Sequence, residues 1–155
     1  MTVKDKIIIS PWAKTPRTGI FCAKNYPFWN NVTEKLKDSF DLIQVGAGQE
    51  TKLKYCTQIF NAPLRELKTL LLDCKTWISV DNFFHHFAHY YNKKGIVIFG
   101  PSDPNLFGYK ENVNLIKSRN NIRRDQFAMW DNETHDPKIF ISPDKVVESV
   151  ITLVR

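Results

Sequence analysis

Two short apolar runs, WISV at 77–80 and GIVIFG at 95–100, constrain the fold of this chain more than any other feature. Neither alternates with polar residues, so a strand built from either one is buried on both faces. Both are rich in β-branched or aromatic residues, and they stop at Asp81 and Pro101 respectively. Between them, FFHHFAHYY at 83–91 has no Gly or Pro and is long enough for about two helical turns. The unit is strand–helix–strand, the repeating piece of a parallel sheet covered on both faces. In open sheets of this kind ligands sit outside the carboxyl ends of the strands. Asp81 and Pro101-Ser102-Asp103-Pro104 fall there, and a site is expected at these two strand ends.

The rest of the chain extends the pattern. KIII at 6–9 reads as the first strand, ended by Ser10-Pro11, since proline cannot continue a ladder. The segment 11–27 holds Pro11, Pro16, Gly19 and Pro27 without a period. A loop this long inside a compact unit tends to be functional. PFWNNVTEKLKDS at 27–39 predicts a helix, with Phe28, Val32 and Leu36 on one face. DLIQV at 41–45 is a second strand, breaking into Gly46-Ala47-Gly48-Gln49-Glu50 and opening onto a polar helix expected around 51–59. LRELKTLLLDC at 64–74 is a helix whose Leu64, Leu67, Leu71 and Cys74 form one stripe, fully accounted for as core. After Asn105 the chain becomes irregular, with a short strand at 112–116. A final helix at 143–153 has Ser142 as its cap, Pro143 at its first position and Asp144 on its dipole.

A chain of 155 residues, 43% hydrophobic and 25% charged, reads as one ordinary globular domain, 1–155. No stretch approaches the roughly 18 apolar residues of a membrane span. Cys22, Cys56 and Cys74 have no C-x-x-C spacing, which argues against a zinc or disulfide framework and fits a reducing, cytoplasmic setting. The net charge of +6 calls for an anionic partner or simply a solvated basic surface. Nucleic acid fits the sign, but the basic residues are dispersed and no nucleic-acid motif is present.

Several of these residues together resemble a known family. Asp81, His86 five residues on, Ala88, and a strand ending in Phe-Gly-Pro-Ser-Asp-Pro (99–104) are similar to the C-terminal domain of the heptosyltransferases. The family pattern there is Asp-Thr/Ser-Gly-x-x-His, then a strand, then Phe-Gly-x-Thr/Ser-x-Pro. Lys24-Asn25-Tyr26-Pro27 resembles the family's Lys-x-Trp-Pro, Gly46 and Glu50 match its Gly-x-x-x-Glu, and Ile141-Ser142-Pro143-Asp144 matches its last helix. The departure is Asn82-Phe83 in place of Thr/Ser-Gly.

The resemblance implies an α/β fold: a single Rossmann-like domain with a mostly parallel sheet and helices on both faces, like one half of a GT-B glycosyltransferase. It implies a glycosyltransferase-like protein that binds a nucleotide-activated sugar such as ADP-heptose and transfers the sugar to an unknown acceptor. On that reading Lys24 and His86 face the diphosphate, Gly46 and Glu50 serve the ribose, and Asn82–Phe84 offers helix N–H groups to phosphate. The family's N-terminal, acceptor-binding half has no counterpart in this sequence, so a partner chain or a second copy is expected to complete the cleft. No cofactor is expected, and no metal, because no Asp-x-Asp stands near a strand end.

Each residue also has a plainer role open to it. Lys24 can be one of many solvated lysines, Asp81 the N-cap of the helix that follows, and His85 and His89 packing or hydrogen-bonding groups. Phe83 puts a bulky side chain where the family's glycine lets a ligand approach the backbone. Arg123, Arg124 and Trp130 read as ordinary surface. The alternatives to a transferase are a module that captures a nucleotide or sugar nucleotide without turnover and, less favoured, a nucleic-acid-binding protein.

Overall fold

A computed structural model describes residues 2–155. Its strands are β1 (Asp5–Ser10), β2 (Phe40–Gly46), β3 (Thr57–Phe60), β4 (Thr76–Val80), β5 (Ile96–Ile98) and β6 (Val113–Leu115). They form one six-stranded sheet in the order β3-β2-β1-β4-β5-β6. All five pairings are parallel. The helices are α1 (Trp29–Leu36), α2 (Leu64–Asp73), α3 (Phe83–Tyr90), the single-turn α4 (Pro104–Phe107) and α5 (Pro143–Val154). None is long and apolar enough to cross a membrane.

The strands are apolar throughout because each face of the sheet is a separate core. Ile7 and Ile9 of β1 pack with Trp29, Val32 and Leu36 of α1 and with Val146 and Val150 of α5. Ile8, on the opposite face, joins Leu67 and Leu71 of α2 and Phe84 and Phe87 of α3. The three isoleucines are fully buried, and each contributes on the order of 2 kcal/mol through burial alone. The same alternation puts Ile78 and Val80 of β4 against one layer and Trp77 against the other. The sheet is therefore the Rossmann-like one expected, with helices on both sides.

Strand order reverses between β1 and β4. Their carboxyl ends, at Ser10 and Val80, diverge into the long loop of residues 11–28 on one side and into Asp81 on the other. This is the switch point where open α/β sheets form their crevice.

One expected element is absent. Residues 51–59 do not form a helix; 51–56 are irregular, and Thr57–Phe60 pair with Ile43–Gly46 as the edge strand β3. The cause is Gln44, fully buried in β2. Its Oε1 accepts from the Leu53 N–H at 2.7 Å and its Nε2 donates to the Thr51 carbonyl at 2.9 Å. The Thr51 carbonyl, which would accept the first bond of a helix, is thereby taken, and Tyr55 adopts a left-handed φ of 67°, which a helix excludes. Two smaller corrections concern helix starts. α1 begins at Trp29 rather than Pro27. Leu64, expected in the core stripe of α2, is 62% exposed, whereas Leu67, Leu71 and Cys74 are buried.

Candidate functional site at the strand switch point

A cleft of about 1340 Å³ opens over the carboxyl ends of β1, β2, β3 and β4. One wall is the 11–28 loop, which is tied down along its length. Asn25, 4% exposed, accepts from the Ala13 N–H at 2.7 Å, and its carbonyl pairs with His135 at 2.8 Å. The Trp29 indole N–H donates to the Pro11 carbonyl, and the Tyr26 hydroxyl donates to the Ile141 carbonyl. These bonds present Lys24 to the cleft from a rigid base.

The Lys24 ammonium lies 3.1 Å from Oδ2 of Asp81. Oδ1 of the same carboxylate is 3.0 Å from Nε2 of His85. Asp81 is 5% exposed and His85 fully buried. The Lys24 contact is a charge contact rather than an aligned hydrogen bond, so Oδ2 has no hydrogen-bond donor; neither does Nδ1 of His85 have a partner. Burial alone would raise the Asp81 carboxyl. The His85 hydrogen bond and the positive charge of Lys24 outweigh it and hold the group at about 2. Above Lys24 stands the Trp130 ring, 4.8 Å from the ammonium to its centroid. The Arg123 guanidinium packs on the same ring at 4.3 Å.

On the far side of the cleft, the Gly46–Glu50 turn folds back on itself. The Ala47 N–H donates to Oε1 of Glu50 at 3.2 Å, and the Gly48 N–H donates to Oδ1 of Asn61 at 2.8 Å. A Cβ at Gly46 would stand 2.1 Å from Oε2 of Glu50, so any side chain here must push that carboxylate aside. Burial pushes the Glu50 carboxyl up, partly offset by the Ala47 bond.

Of the residues singled out from sequence, Lys24, Gly46, Glu50, Asp81, Asn82 and Phe83 all line this cleft. His86 does not line it. Its Nδ1 is 2.6 Å from the Tyr109 hydroxyl, its ring rests 4.0 Å from that of His85, and burial with the neighbouring histidine lowers its pKa. The reason is geometric: adjacent helical residues point about 100° apart, and α3 turns His85 inward onto Asp81. The N-cap also moves by one residue. Asn82, not Asp81, accepts from the Phe84 N–H at 2.9 Å, and its Nδ2 ties α3 to Ser10 and Trp12. That N–H is therefore already engaged. Trp130, read as surface, instead folds over Lys24; the only local hint was a tryptophan in a polar, arginine-flanked stretch.

Asp81, His85 and His86 bring one carboxylate oxygen and two imidazole nitrogens within 4.8 Å of one another, the set among the described residues best able to hold a metal. The ammonium of Lys24 is the cation already standing on that carboxylate. The chemistry the cleft offers most directly is capture of an anion by Lys24.

No protein-family model and no curated protein matches this chain by sequence. In three dimensions it superimposes on the E. coli ADP-heptose LPS heptosyltransferase II with a TM-score of 0.74 at 17% identity, over 99% of this chain and 47% of that one. A glycosyl transferase of family 9 from Veillonella parvula gives 0.69 at 16% identity, over 99% and 47%. E. coli heptosyltransferase WaaC with ADP gives 0.65 at 15%, over 97% and 45%. The dodecameric iron-containing heptosyltransferase TibC, in complex with ADP-D-beta-D-heptose, gives 0.68 at 15%, over 99% and 46%. The chain spans less than half the length of each. In fold, it matches one Rossmann-like half of these heptosyltransferases.

Proposed function

We propose that this chain is the nucleotide-sugar-binding half of a glycosyltransferase, with the donor's diphosphate held on Lys24. The observation that carries this reading is the Lys24 ammonium, fixed at the strand switch point inside the cleft, where its one ion pair among the described residues is with Asp81. A compact ammonium suits a diphosphate, and the enclosing Trp130 ring strengthens the attraction by excluding water. The solved complexes of WaaC with ADP and of TibC with ADP-heptose support the choice of ligand class.

Transfer needs a base within reach of the acceptor hydroxyl. Asp81, held at about 2, is too weak a base for that role, and Glu50 is folded onto its own turn. This favours, as the second reading, a module that binds without turnover unless another unit supplies the base and the acceptor surface. Calorimetry against ADP, UDP, GDP and ADP-heptose tests the first step. Micromolar binding of one of them, weakened about tenfold or more by Lys24→Ala, is expected. Binding that is unaffected by Lys24→Ala would defeat the assignment. Release of free sugar or of a glycosylated product from the bound donor separates transfer from capture.

A further inference from the structure

We propose that Phe83 and Leu64 are the two walls of a slot for the nucleobase, and that stacking on Phe83 is a main determinant of affinity. This rests on the nucleotide reading above and adds where the base goes. The lining of the cleft is of two kinds: Lys24, Asp81, Asn25 and Arg17 are charged or polar, whereas Val45, Ala47, Ile59, Leu64, Leu67 and Phe83 are apolar.

Leu64 and Phe83 are the first residues of α2 and α3, the two helices that share one face of the sheet. The residues that follow them on each helix, Leu67 and Leu71, Phe84 and Phe87, are buried in that core. Leu64 and Phe83 instead remain 62% and 59% exposed, both on the cleft. The only ring packed against Phe83 among the described residues is Phe87, at 5.6 Å. A helix start that needed only solubility would carry polar residues at both places.

The occupant is specified by what borders the slot. Oε2 of Glu50 and the Nδ2 of Asn61, whose Oδ1 is taken by Gly48, lie on the cleft with no partner among the described residues. An acyl chain would leave that acceptor and that donor unmatched. A flat heteroaromatic base matches both its faces to Phe83 and Leu64 and its edge to the two polar groups. Phosphate is directed elsewhere, because Phe83 stands at the start of α3 and the Phe84 N–H is already bonded to Asn82. The anion then falls to Lys24, which lines the same cleft as Phe83 and Leu64, so one nucleotide engages all three.

The test is calorimetric titration of wild type, Phe83→Ala and Phe83→Trp with three probes each: a nucleoside diphosphate, its nucleoside, and inorganic pyrophosphate. ADP with adenosine, GDP with guanosine and UDP with uridine are run in turn. Phe83→Ala is expected to weaken nucleotide and nucleoside by about tenfold alike and to leave pyrophosphate unchanged, with Phe83→Trp restoring both. Phe83 is exposed, and unchanged urea unfolding confirms that the variants fold. A nucleotide bound in a Lys24-dependent manner with equal affinity by Phe83→Ala would overturn the slot while leaving the nucleotide reading intact. Nucleoside binding without pyrophosphate binding would support the slot and defeat the diphosphate role of Lys24. If wild type binds none of the probes, both fall together.

Discussion

Asp81→Asn removes a charge from the centre of the site while keeping the shape of the side chain, and its effect on stability should depend on pH in a calculable way. The carboxyl is 5% exposed and held at about 2, against an ordinary 3.8. A folded-state value below the unfolded one means that stability is present above the unfolded pKa and lost as pH falls through the folded one. At 1.36 kcal/mol per pH unit the contribution is about 2.5 kcal/mol above pH 5, about half of that at pH 3, and little at pH 2. The amide that replaces the carboxylate keeps an oxygen that can accept from His85 but has no charge to titrate.

Urea unfolding followed by tryptophan fluorescence at constant ionic strength is the assay; guanidinium would screen the pair. Wild type should exceed Asp81→Asn by roughly 2–3 kcal/mol at pH 7, and the gap should close by about 1 kcal/mol at pH 3. Asp73, Asp103 and Glu111 are also lowered, by Lys6, Arg119 and His89 respectively, but they titrate in both proteins and cancel in the difference. A gap that stays constant from pH 7 to pH 3 would show that Asp81 is not held ionised by His85 and Lys24.

Two glycine substitutions should separate packing from function. A Cβ at Gly95 would stand 2.1 Å from the Trp77 indole, which is fully buried and pinned by its N–H to the Lys93 carbonyl. Gly95→Ala should therefore cost about 1–3 kcal/mol or more in urea unfolding, since the indole has nowhere to go. At Gly46 the obstacle is only the Glu50 carboxylate, the end of a flexible side chain. Gly46→Ala should shift the urea midpoint little, yet weaken nucleotide binding in calorimetry by pushing Glu50 off the Ala47 N–H.

The sheet was legible because its strands bury both faces. Ile7, Ile8 and Ile9 serve two cores at once, which leaves an unbroken apolar run that no amphipathic helix would show. The failure at 51–59 had a cause outside that stretch, because one buried glutamine seven and nine residues upstream pins the backbone at Thr51 and Leu53 and takes the Thr51 carbonyl that a helix would have used. Leu64 followed the helical period and still left the core, because the period says which face a residue occupies but not where the layer beneath it ends.

The site divides along the same line. Gly46, Asp81, Asn82 and Phe83 reach one cleft because they stand at or beside a strand end or helix start, positions that the order of elements fixes, while Lys24 and Glu50 reach it from the loops that leave β1 and β2. His85 and His86 could not be told apart in this way. A cap at Asn82 rather than Asp81 leaves the carboxylate free to take His85, and one step along α3 then carries His86 to Tyr109. Trp130 depends on longer connections still: the Thr18 hydroxyl donates to the Asp131 carbonyl at 2.5 Å, and His135 pairs with Asn25, contacts across more than a hundred residues. Such contacts cost chain entropy that only the finished sheet repays. The closing of Trp130 over Lys24 is thus a consequence of the fold rather than of its own stretch of sequence, and so is the charged corner that Lys24, Asp81 and Arg123 form with it.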